Sequence, residues 1–114
     1  MYDVNYFIKK FEAIPEMLWF SGDFVGPNGT RCALGHCGTV EWTDSINDEE
    51  AALIDLFTKN SPLQLRSAVG LVNDGKVYRY PQPTPKQRIL AALYDIREET
   101  IKAGKVNKTE GVAV

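Results

Sequence analysis

The sequence is poor in the side chains that bind metals and move protons near neutrality: it has one histidine, His36, and two cysteines, Cys32 and Cys37. A structural zinc needs four ligands in tetrahedral array. Cys32, His36 and Cys37 would need an aspartate such as Asp44 to complete a set, and His36 and Cys37 are chain neighbours that point apart, so no metal site is expected. Long apolar runs are missing too; none reaches the roughly 20 residues of a membrane-spanning helix, so no membrane partner is expected. The opening residues, Met1-Tyr2-Asp3-Val4-Asn5-Tyr6, lack the basic-then-apolar order of a secretory signal. A cytoplasmic setting with reduced thiols is therefore expected. Charge of one sign is also scarce: 13 basic residues stand against 15 acidic ones, for a formal net charge of −2. Duplex nucleic acid attracts proteins through a strong positive field, so nucleic acid is not the expected partner. Lys86, Arg88, Arg97, Lys102 and Lys105 gather late in the chain, but Asp95, Glu98 and Glu99 dilute them, and a solvated helix face explains the pattern. No Gly-rich nucleotide loop is present, and no cofactor is expected.

What is there suits one domain. At 114 residues and 44% hydrophobic content, the chain can fold around a single core without staples. A partner subunit would add to that core, which leaves room for a homo-oligomer.

Helical periodicity dominates. Val4, Phe7, Ile8, Phe11 and Ile14 share one helix face, with Asp3 as N-cap and Pro15 at the end. The segment 17–29 is dense in Gly, Pro and Asn and reads as a loop. Trp19, Phe20 and Phe24 are too costly to leave in water, so the loop should pack down. Thr30 can cap a short helix from Arg31 to Cys37 that Gly38 terminates. Ser45 or Asn47 opens a third helix with a stripe of Leu53, Leu56 and Phe57. Ser61-Pro62 starts a fourth, carrying Leu65, Ala68, Val69 and Val72. A strand over 68–72 is the alternative, since short apolar runs are ambiguous. Residues 76–83 read as extended. Thr84-Pro85 starts the last helix, with Ile89, Leu93, Ile96 and Thr100 inward and Leu90 and Tyr94 on the flank, and Gly104 ends it. The expectation is an all-α domain over residues 1–104, with about five helices, a packed aromatic loop and one short extended segment; residues 105–114 read as a disordered tail.

Reactive side chains crowd only at Cys32-Ala33-Leu34-Gly35-His36-Cys37. If the chain were an enzyme, Cys32 would be the nucleophile, its pKa lowered by the first turn of a helix, and His36 the base four residues on. Helix neighbours lie side by side, however, and no second imidazole exists to serve. Redox sensing by the two thiols would require the helix to unwind or two subunits to pair. The structural reading makes both cysteines small buried hydrophobes, with Gly35 allowing close packing and His36 hydrogen-bonded inside or lining a shallow pocket. Asn73-Asp74-Gly75 reads as a helix stop whose carboxylate is also available for binding. Trp19, Trp42, Tyr78 and Tyr80 form either a stacking platform or part of the core and its rim.

Three segments together resemble a known group. Cys32 to Gly38 (CALGHCG), Val72 to Gly75 (VNDG) and Tyr80 to Leu93 (YPQPTPKQRILAAL) are similar to an uncharacterised family of small bacterial and bacteriophage or prophage proteins. The resemblance covers Trp19 to Ile96. It implies a bacterial or phage-infected cell and carries over no catalytic residue. The function expected is that of an accessory protein holding a partner protein or small ligand through Trp19, Cys32, His36, Asn73, Asp74, Tyr78 and Tyr80. A cysteine-dependent hydrolase or transferase using Cys32 is the alternative.

Overall fold

A computed structural model describes residues 1–58 and 66–104. Their regular structure is helical: α1 (Val4–Ala13), α2 (Ala33–His36), α3 (Asp48–Thr58), α4 (Arg66–Asn73) and α5 (Pro85–Lys102), with single 3₁₀ turns at Glu16–Leu18 and Pro27–Gly29. Among the described residues there is no strand, only isolated pairings of Arg31 with Trp19 and Val25. The domain is all-α, as expected. The Ser61-Pro62 helix start, Leu65 and the 105–114 tail lie outside the described residues.

Local chemistry sets the helix ends. Asp3 Oδ1 accepts the Tyr6 N–H at 2.8 Å and opens α1. Of the two residues that could open α3, Asn47 does so: its Oδ1 accepts the Glu50 N–H at 2.8 Å while its Nδ2 donates to the Cys37 carbonyl at 2.9 Å. Thr84 caps α5 with Pro85 in the first turn. Residues 68–72 are helical, which removes the strand alternative. Gly75, at φ +77°, closes α4 in a Schellman motif, with Gly75 N–H on the Val72 carbonyl and Lys76 N–H on the Leu71 carbonyl. The 76–83 segment is less extended than its sequence suggests, bending through a turn in which the Tyr80 N–H reaches the Val77 carbonyl at 3.1 Å.

α5 is the centre of the packing. It lies against α1 and α4, while α3 and α2 both pack on α4. Ile89 and Leu93 of α5 meet a core of Phe7 and Phe11 from α1, Leu53 and Ile54 from α3, and Val69 and Val72 from α4, all buried. Leu90, expected on the flank, is buried as well, whereas Leu56, Phe57 and Ile96 are only partly covered. Arg88 is not on a solvated face. It is buried, donating to the Asn73 carbonyl from Nε (3.1 Å) and Nη2 (2.8 Å) and to the Gln82 carbonyl from Nη1 (2.8 Å). A guanidinium can satisfy several carbonyls at once, so a basic residue in an apparently solvated pattern ends up joining α4, α5 and the segment between them.

Candidate functional site

The aromatic loop is packed down onto the domain, and its path is fixed by main-chain bonds. Arg31 donates to the Leu18 carbonyl (3.0 Å) and accepts from Phe20 N–H (2.9 Å), and Cys32 N–H reaches the Phe24 carbonyl (3.2 Å). Asn73 then ties the loop to α2 and α4. Its Oδ1 accepts the Ala33 N–H at 3.0 Å, and its Nδ2 donates to the Phe20 carbonyl at 2.8 Å and to Asp74 Oδ1 at 3.0 Å. Asp74 Oδ1 also accepts the Gly22 N–H at 3.0 Å. Fully buried and bonded at both ends of its amide, Asn73 holds structure together and offers nothing to a ligand.

Cys32 is the N-cap of α2, one position outside it, and Thr30 is not the cap. Its extended backbone turns Sγ onto the Gly35 N–H at 3.4 Å, out of the helical register that would place it on the His36 face. Burial pushes the Cys32 thiol up, against the pull of its backbone donors, and burial pushes Cys37 up to about 12. Both are buried free thiols. His36 Nε2 lies 3.0 Å from the Leu18 carbonyl, and a carbonyl only accepts, so Nε2 carries the proton. The ring packs edge-on to Trp19, 4.9 Å between centres, and burial holds its pKa below the usual histidine value. Trp19 is itself buried, with its indole N–H on the Ile14 carbonyl at 3.3 Å. No group of three or more His, Cys, Asp or Glu side chains among the described residues could hold a metal ion.

The seven residues singled out from the sequence thus divide. Trp19 and His36 touch each other. Cys32 and Asp74 share a small cavity of about 70 Å³, and His36 does not line it. Asn73 braces the loop beside them. Tyr78 stands fully in solvent, and Tyr80 turns away to donate to Asp95 Oδ2 on α5 at 3.1 Å. Neither aromatic joins the cavity.

The sequence singled out Trp42 among the aromatics without its setting, and a buried ion pair beside the cavity was not legible. Trp42, neither core nor stacking partner of Trp19, is 67% exposed and rests edge-on against Phe24 at 4.8 Å. Beneath it, Arg66 and Glu50 form a buried bidentate pair, Nε to Oε2 at 2.6 Å and Nη2 to Oε1 at 3.2 Å, with Glu50 at 0% exposure. The same guanidinium donates to the Trp42 carbonyl (Nη1, 2.8 Å) and the Asp44 carbonyl (Nη2, 2.7 Å). Asp44 Oδ2 accepts the Val40 and Glu41 N–H groups, closing the turn that carries Trp42. The Glu41 N–H, with Val40 adding, holds the Asp44 carboxyl below its usual range. The one hint in the sequence was a tryptophan inside the short polar run Glu41-Trp42-Thr43-Asp44. Position within a first helical turn gave no sign that Glu50 would be buried.

No helix among the described residues is long and apolar enough to cross a membrane. Compared with family models, with curated proteins and with solved structures, the chain finds no match in any of the three.

Proposed function

We propose that this chain is a binding module, a small bacterial or bacteriophage accessory protein that works by holding a partner protein at the Trp42 face. The setting rests on the resemblance of three sequence segments. The mode of action rests on one observation: a largely exposed tryptophan whose main chain is pinned by a buried ion pair. Exposed tryptophan is costly, and in interfaces tryptophan is among the residues that carry most binding energy. Holding its backbone before binding cuts the ordering cost of association. Val40 and Ile46, exposed on the same loop, extend the apolar contact. The cavity beside Trp42 is several-fold below the roughly 300–1,000 Å³ of small-molecule sites, which favours a protein or peptide over a free metabolite.

Thiol chemistry at Cys32 has less support. The sulfur is buried, its pKa is raised, and the imidazole is committed to the Leu18 carbonyl outside the cavity.

Selection of a random displayed-peptide library on the immobilised protein tests the reading. Trp42→Ala should weaken enriched peptides by about 30-fold, the scale of a hot-spot truncation, and Tyr78→Ala should leave them unchanged. No enrichment, or enriched peptides indifferent to Trp42→Ala, would sink it.

A further inference from the structure

The cavity beside Trp42 has a chemistry of its own. Phe24, Cys32, Leu34 and Trp42 line it together with two carboxylates, Asp23 and Asp74. At about 70 Å³ it is several-fold smaller than a small-molecule site, so only the tip of a side chain fits.

Its charge is one-sided. Asp74 uses Oδ1 on the Gly22 N–H and Asn73 Nδ2, and Asp23 uses Oδ1 on its neighbour's Phe24 N–H. Oδ2 of each has no hydrogen-bond partner among the described residues, although an ionised carboxylate accepts at both oxygens. The cation in the wall, Arg66, is already neutralised by Glu50 and directs its other bonds to the Trp42 and Asp44 carbonyls. The Cys32 thiol registers the same field: burial is the main cause of its raised pKa, and Asp74 and Asp23 add to it. Two carboxylates argue against an anion, and a purely apolar tip would displace their solvating water without replacing its hydrogen bonds. Aromatic faces beside carboxylates are the surroundings that attract an organic cation.

We infer that this cavity receives the basic side chain, lysine or arginine, of the partner protein, its charge between Asp23 and Asp74 and its stem against Trp42. This rests on the Trp42 face being the contact surface. Trp42 supplies apolar area and cation–π attraction, and the carboxylates select for positive charge.

The test uses ¹⁵N-labelled full-length protein titrated with acetyl-Gly-Lys-Gly-amide, its arginine counterpart, and a norleucine counterpart that keeps the stem and removes the charge. The basic probes should shift Gly22, Asp23, Gly70 and the Trp42 indole with a millimolar dissociation constant that weakens in high salt; norleucine should not. Asp23→Asn, which keeps an oxygen for the Phe24 N–H, should weaken the basic probes about fivefold, the scale of one exposed cation contact. Equal shifts with norleucine, shifts untouched by Asp23→Asn, or no shift would overturn the inference. The two readings fail separately. Selected peptides that depend on Trp42 but carry no basic residue would leave the contact surface standing and remove its cation.

Discussion

Gly35 shows how little room a single residue can leave. It sits inside α2 with φ outside the left-handed region, so backbone freedom is not why glycine is there. A Cβ built on it would lie 2.0 Å from the Phe24 carbonyl oxygen, which is main chain and held by the Cys32 N–H. Gly35→Ala must therefore push the loop off α2. Overpacking of this kind should cost about 1–3 kcal/mol, read as a lower urea midpoint with unchanged slope. His36, the next residue, gives the molecule a pH dependence of definite sign. Its folded pKa lies below the unfolded value of about 6.5, chiefly through burial, with Arg31 and Lys10 adding repulsion. Below that pH the unfolded chain takes up a proton that the folded chain resists, so the unfolded state binds more protons and stability rises with pH. The His36 contribution is complete above about pH 7 and is lost as pH drops through the window below 6.5. His36→Gln, which can still donate to the Leu18 carbonyl, should show a smaller loss of urea midpoint between about pH 8 and pH 5 than the parent.

At the scale of elements, α3 and α4 are joined by a charge pair where an apolar contact would serve as well. Burying Glu50 and Arg66 costs desolvation that their bidentate bonds offset, so the pair is no large source of net stability. What it adds is position, because the same guanidinium holds the turn that presents Trp42. Arg66→Met alone leaves Glu50 charged and uncompensated and should destabilise by about 3–5 kcal/mol. Adding Glu50→Leu should restore most of that loss, since well-packed apolar replacements of buried pairs are often neutral or better. The double variant separates stability from presentation. Its melting midpoint should return toward the parent's, while peptides that depend on Trp42 should bind more weakly, because the Trp42 and Asp44 carbonyls have lost their donor. Equal peptide affinity in the two proteins would show that the pair does not position the tryptophan.

For the molecule as a whole, the sequence revealed the all-α class through apolar periodicity and capping residues, because both act within a few positions of chain. Asp3, Asn47, Thr84 and Gly104 mark the described helix ends as local chemistry requires. The site was less visible. Cys32 and His36 drew attention by chemical type, but the distance that mattered was from His36 to Leu18, eighteen residues back. Arg88 looked like a surface cation because solvation is the usual fate of arginine, Arg66 drew no notice, and only tertiary contact turns both inward. Trp42 was visible as a residue, yet its exposure depends on a turn anchored from α4. The burial of the rare titratable side chains has a consequence for any encounter. The sole histidine is displaced downward and both cysteine thiols upward, each chiefly by burial, so folding moves all three away from neutrality. An approaching protein near neutral pH therefore meets these three side chains as uncharged groups, and none of them offers it a change of charge.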